Sequence, residues 1–137
     1  MKAKIIIAAG GLALLALCAC NKSKADPHIP PAVTLKSSAV YTSAETVTAK
    51  KQDTLLVGVI VEKTEDDLKS YNVSFRYDAE TTSTTFYNYL MDATEKTYYE
   101  KDIKIITRNQ SGKEVWLFSI VDRDGNLTQK TITITVP

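Results

Sequence analysis

The chain is poor in the residues that carry most protein chemistry. Of 137 residues, two are cysteine and one is histidine. Both cysteines, Cys18 and Cys20, fall within the first twenty residues, and His28 stands alone between Pro27 and Pro30. Beyond Cys20 no internal disulfide can form, so packing and hydrogen bonds must hold the fold. A lone pair of cysteines with one histidine is too small a donor set for a structural zinc site. Nucleophilic catalysis finds no partners either. There is no histidine beside a serine, no glycine-rich phosphate cradle among the five glycines, and no Gly-x-Ser-x-Gly elbow. Charge of one sign is missing as well. The 17 basic and 16 acidic residues nearly cancel, and no basic cluster stands out, which argues against a nucleic-acid partner. No catalytic residue, metal or cofactor is therefore expected.

Long apolar runs are equally scarce, and the single one opens the chain. Met1-Lys2-Ala3-Lys4 is a basic start, followed by "IIIAAGGLALLAL" from Ile5 to Leu17. Thirteen residues cannot span about 30 Å of hydrocarbon as a helix, which takes roughly 20. The pattern reads as a secretory signal. Its end, Leu17-Cys18-Ala19-Cys20, resembles a bacterial lipobox, with an aliphatic residue at −3, a small one at −1 and the cysteine at +1. Under that pattern Cys20 is the lipidated residue, because Ala19 then fills the small position. Choosing Cys18 would put bulky Leu17 there. A Cys18–Cys20 disulfide is geometrically poor with one residue between them. The resemblance implies cleavage after residue 19 and anchoring through N-terminal acyl chains. Each buried methylene contributes about 0.8 kcal/mol, and two chains hold stably.

Residues 20–31 follow as the lipidated cysteine and a tether. Pro27, Pro30 and Pro31 favour an extended chain, which suits a spacer between membrane and domain. His28 is expected to be solvated there.

Residues 32–137 read as one all-β domain. Threonine, valine, isoleucine and tyrosine favour half-buried pleated surfaces, and no long segment has a helical period. In "YNVSFRY", Tyr71, Val73, Phe75 and Tyr77 share one face. In "TLLVGVIVE" both faces are apolar, which predicts a central strand. "KEVWLFSIVDRDGNLTQKTITITV" is two alternating runs around "DRDGN". Trp116, Phe118 and Ile120 share one inward face, and Ile132, Ile134 and Val136 another. Asp124-Gly125 supplies the positive-φ chemistry of a tight hairpin. Further strands are expected near residues 33–36, 46–49 and 103–107, for about seven in all. That count predicts a two-sheet antiparallel β-sandwich.

The "DRDGN" turn, the closing "TITITV" and the entry "KKQDTLLVGVIV" resemble bacterial immunoglobulin-like or PKD-like domains. Leader, lipobox, tether and one such domain together resemble small lipoproteins of Bacteroidota. The resemblance implies an immunoglobulin-like sandwich in the cell envelope, anchored in the outer membrane. The disulfide pair and tyrosine corner of vertebrate-type domains are absent from the sequence.

Candidate sites are few. "DRDGN" spaces Asp122, Asp124 and Asn126 like the start of a calcium loop. The twelfth position is Thr133, not glutamate, so a side-chain-stabilised turn is the better reading. The acids of "EKTEDDLK", Glu62, Glu65, Asp66 and Asp67, read as a solvated loop. Asn72, Asn109 and Asn126 begin glycosylation-like triplets that chance explains. "TTSTTFYNYLMDATEKTYYEKD", residues 81–102, is the least legible stretch, and "FYNYLM" could form a helical turn or two. If its tyrosines are exposed, Tyr87, Tyr89 and Tyr98 form the candidate ligand-binding surface, since rings give contact area at low entropic cost. The alternative is that they cover the core. The functional expectation is a non-enzymatic binding, adhesion or scaffold module for an envelope protein or glycan. An envelope enzyme or inhibitor, and a structural spacer, are the alternatives. An exposed sheet edge offers a further route to assembly.

Overall fold

The computed structural model describes residues 25–137. The expected leader over residues 1–19 and the expected lipidation at Cys20 lie outside the described residues. Eight strands follow in order: β1 (Ala32–Leu35), β2 (Thr46–Thr48), β3 (Thr54–Glu62), β4 (Leu68–Tyr77), β5 (Thr84–Leu90), β6 (Tyr98–Ile106), β7 (Gly112–Asp122) and β8 (Leu127–Val136). No helix occurs among the described residues.

The strands form two sheets, β1-β3-β6 and β2-β8-β7-β4-β5. Between them lies one core. Val57, Val59 and Val61 of β3 and Ile103 and Ile105 of β6 line one wall. Tyr71 and Val73 of β4, Trp116, Phe118 and Ile120 of β7, and Ile132, Ile134 and Val136 of β8 line the other. Each set has the period of two that the pleat imposes. β3 is central in its sheet, as its two apolar faces predict. Its outward Gly58 leaves room for a neighbour. A Cβ there would meet the Lys36 side chain and lie 2.9 Å from Asp102 Oδ1, so one of them would have to shift. Glycine lets the Lys36 stem lie across the sheet to pair with Asp102 at 2.8 Å and with Glu100.

This strand order is immunoglobulin-like. β1, β3 and β6 make one sheet, as strands A, B and E do in such domains, and β4, β7 and β8 make the other, as C, F and G do, with β5 added at one edge and β2 at the other. The expected sandwich is observed, with eight strands rather than about seven. All its pairings are antiparallel except β2 with β8, which is parallel: the chain crosses from one sheet to the other between β1 and β2.

Residues 81–102 hold no helical turn. "TTFYNYL" is β5, paired with β4. A bulge breaks its period: Tyr87 faces Val73 and Thr85 faces Ser74, leaving Phe86 as the extra residue. Phe86 lies edge-on to Trp116, centroids 5.1 Å apart.

The β7–β8 turn forms as its residues predict. Gly125 has φ +93°, and Asp122 accepts from the Asn126 backbone N–H at 2.8 Å and from Asn126 Nδ2 at 2.9 Å. The proline-rich run preceding β1 is bonded to the sandwich. Thr64 Oγ1 donates to the Pro30 carbonyl at 2.8 Å, and Thr128 Oγ1 to that of Pro31 at 2.6 Å.

Candidate functional site

Four tyrosines meet where the edge strands β5 and β6 face each other across the sandwich. Tyr87 and Tyr89 stand two residues apart on the inner side of β5, their rings stacked with centroids 6.3 Å apart. Tyr89 stacks in turn on Tyr99 of β6 at 5.3 Å. Tyr71 of β4 underlies the group, tilted against Tyr87 at 5.9 Å and Tyr99 at 5.7 Å. The hydroxyls of Tyr87 and Tyr99 are 3.3 Å apart and join the two sheets by a hydrogen bond. Lys101, two residues beyond Tyr99 on the same side of β6, places its ammonium 5.2 Å from the Tyr87 ring centroid. The result is an aromatic ladder with a buried foot, Tyr71 and Tyr99, and half-buried rungs, Tyr87 and Tyr89.

Burial fixes the electrostatics. Desolvation, aided by the neighbouring Tyr87, pushes the Tyr71 and Tyr99 phenols well above the ordinary tyrosine range. Glu95 beside Tyr89 raises that phenol chiefly by hydrogen bonding. All three therefore stay neutral at physiological pH.

The structure brings Tyr87 and Tyr89 together and separates Tyr98 from them. Tyr98 lies on the outer face of β6 and donates to Glu100 Oε2 at 2.6 Å. That face carries a different cluster, in which Lys36 pairs with Glu100 and Asp102 while Tyr41 donates to Asp102 at 2.9 Å. The reading of residues 81–102 missed Tyr71, Tyr99 and Lys101 as neighbours. Parity held the signal: Tyr99 and Lys101 are in step with the apolar Ile103 and Ile105, and Tyr98 is not.

The remaining candidates are tied up internally. Asp66 is buried and paired with Arg123, which also binds Asp124 at 2.9 Å. Asp67 pairs with Lys63 at 2.7 Å. The loop of residues 63–67 is thus stapled to the β7–β8 turn, not simply solvated. Carboxylate oxygens of Asp26, Asp66 and Asp124 lie within 4.8 Å of one another, with the Arg123 guanidinium already among them. His28, exposed, is 3.6 Å from Asp26.

Fold and strand order define an immunoglobulin-like β-sandwich. No family model matches the chain, and no curated protein matches it. Among solved structures it is similar to murine CRIg, with 11% identity over 77% of this chain and 95% of that one, at TM-score 0.39. It is also similar to target SoR45 of the Northeast Structural Genomics Consortium, with 12% identity over 78% of this chain and 87% of that one, at TM-score 0.36. At such scores the assignment rests on the strand order itself.

Proposed function

We propose that the chain is a lipid-anchored, non-enzymatic binding module of the cell envelope, held in the outer membrane through Cys20 and recognising a protein or glycan. The observation that carries the recognition role is the ladder at the β5–β6 opening. Half-buried Tyr87 and Tyr89, with Lys101 beside them and Phe86 exposed next in sequence, give a rigid amphipathic surface. Stacked rings lose little entropy on binding, and their hydroxyls and the ammonium give a ligand polar partners. The lipobox-like Leu17-Cys18-Ala19-Cys20 supports the anchor, and a spacer role falls to the polar residues that precede Pro30 and Pro31, whose carbonyls are held by Thr64 and Thr128.

The test is crosslinking of the intact protein in its own cells, followed by identification of captured proteins and glycans. A defined partner lost with Tyr87→Ala or Tyr89→Ala, but kept with Tyr98→Ala, supports the ladder. Each variant is first checked for a wild-type β-sheet circular dichroism spectrum. No partner for a correctly folded, membrane-bound protein overturns the recognition role and leaves a structural spacer.

A further inference from the structure

We propose that a groove between β1 and β8 accepts an extended segment of a different protein by strand addition. The inference rests on reading the domain as a binding module, but it concerns a second surface, away from the tyrosine ladder. The groove encloses about 830 Å³ and is lined by Val33, Leu35, Glu45, Lys130, Thr131 and Thr133, among others.

Backbone parity makes the case. The N–H of Thr133 donates to the Glu45 carbonyl at 2.8 Å, and the Thr135 carbonyl accepts from Ala49 at 3.1 Å. Odd-numbered residues of β8 therefore turn their peptide groups away from β7 and toward β2. But β2 is only three residues long and begins at Thr46, opposite Thr133. Upstream of that point the peptide groups of Gln129 and Thr131 face no strand among the described residues. On the opposite wall, Lys36 donates its N–H to Gly58 at 2.9 Å, so the even-numbered residues of β1 face β3. The peptide groups of Val33 and Leu35 turn the other way, along the free edge of β1. The groove thus runs between two rails of donors and acceptors that pair with no strand among the described residues. The Thr128–Pro31 hydrogen bond closes one end and β2 closes the other.

Those rails select the occupant. Donors and acceptors that recur at every second residue, roughly 6.6 Å apart, match an extended peptide backbone. The side-chain demand agrees. Val47 of β2 packs inward on the core, and Val33 and Leu35 are half-buried against it. A strand continuing the line of β2 along β8 would set alternate side chains over Val33 and Leu35, so β-branched apolar residues fit there. Glu45 and Lys130, of opposite sign, form no ion pair among the described residues. They favour a segment with an acid near Lys130 and a base near Glu45.

The test uses the full chain purified in detergent and a capped peptide alternating valine and threonine, with one terminal aspartate and one terminal lysine. Amide hydrogen exchange is followed by NMR. Before peptide is added, the Gln129 and Thr131 amides exchange faster than those of Thr128 and Lys130, which point to β7. Saturating peptide slows Gln129 and Thr131 at least tenfold, and an N-methylated peptide does not. Thr131→Pro removes a donor that bonds to nothing among the described residues, so the sandwich persists while peptide affinity falls at least tenfold. Thr131→Ala keeps the affinity. No protection at millimolar peptide, or unchanged binding by Thr131→Pro, overturns the proposal. Protection that instead rises with protein concentration alone overturns it in favour of a second copy. Protection by a chito-oligosaccharide but not by peptide overturns it in favour of a glycan. None of these outcomes touches crosslinking at Tyr87 and Tyr89, so failure here leaves the ladder's role standing.

Discussion

Glu114 accepts the indole N–H of Trp116 at 3.0 Å, with both side chains buried in the sandwich. The other carboxylate oxygen accepts the backbone N–H of Arg108 at 2.7 Å. One buried acid thus ties the core tryptophan of β7 to the segment that leaves β6. Trp116→Ala removes a large core side chain and should destabilise by about 3–5 kcal/mol in denaturant unfolding. A loss under about 1 kcal/mol would show that the ring is not a core element. Glu114→Ala strands one buried donor, the Trp116 indole, and one part-buried donor, the Arg108 N–H, and should cost about 2–4 kcal/mol. Glu114→Gln should cost less, because its carbonyl still accepts one of the two bonds.

Asp78 and Arg108 set part of the acid limit. Arg108 gives Asp78 two hydrogen bonds, at 2.6 and 2.7 Å, and stacks its guanidinium 4.9 Å from the Tyr77 ring centroid. Those bonds, with a further one from the Lys113 N–H, hold the Asp78 carboxyl down at about 2. A folded pKa below the unfolded value of roughly 3.9 means that the stabilisation is complete above pH 4 and is lost as pH falls toward 2. Asp78→Asn should therefore flatten the decline in unfolding free energy between pH 4 and 2. An unchanged slope in that window would refute the coupling.

At the alkaline end the sign is reversed in effect. The folded state raises the phenol pKa values of Tyr71 and Tyr99, first through burial, so it resists their ionisation. Stability is intact below about pH 10 and falls as pH rises beyond it. Absorbance titration near 295 nm should leave these two of the seven tyrosines un-ionised until the protein unfolds. Reversible ionisation of all seven at pH 11, with β-sheet retained, would contradict a buried foot to the ladder.

The Tyr71 hydroxyl is buried and finds no hydrogen-bond partner among the described residues. A buried donor left unpaired carries a desolvation penalty of about 1–3 kcal/mol. Tyr71→Phe keeps the ring contacts with Tyr87 and Tyr99 and removes the orphan, so it should stabilise by about 1 kcal/mol. A destabilisation of similar size would reveal a partner for the hydroxyl, such as an ordered water.

The legible parts of the fold are those where one period governs a whole strand. Trp116, Phe118 and Ile120 alternate cleanly, as do Ile132, Ile134 and Val136, and Asp124-Gly125 marks the turn between them. β5 was obscure because its bulge puts Phe86 and Tyr87 in succession, which breaks the period of two where aromatic side chains should have revealed it. β2 was found, but its parallel pairing was not, because nothing local in "TVT" records which edge it will join. The ladder was half legible. Tyr87 and Tyr89 share a face by parity, while their stacking on Tyr99 depends on how two sheets are laid together. The Asp66–Arg123 pair spans 57 residues and leaves no local trace at all. For the same reason the gap beside Gln129 and Thr131 emerges only when β2 is seen to stop short.

The anchor has its own test, because two cysteines compete for it. If Leu17-Cys18-Ala19-Cys20 acts as a lipobox, Cys20 becomes the N-terminal residue and carries the acyl chains. Cys20→Ser should abolish incorporation of radiolabelled palmitate and release the protein from the membrane fraction, while Cys18→Ser should do neither. The reverse pattern would move the cleavage site to Cys18 despite bulky Leu17 before it. Palmitate labelling that survives both substitutions would reject the lipobox. Membrane association without labelling would instead point to the apolar run of residues 5–17 as an uncleaved anchor. At about 0.8 kcal/mol per buried methylene, losing even one acyl chain weakens attachment by several orders of magnitude, so fractionation should read the difference clearly.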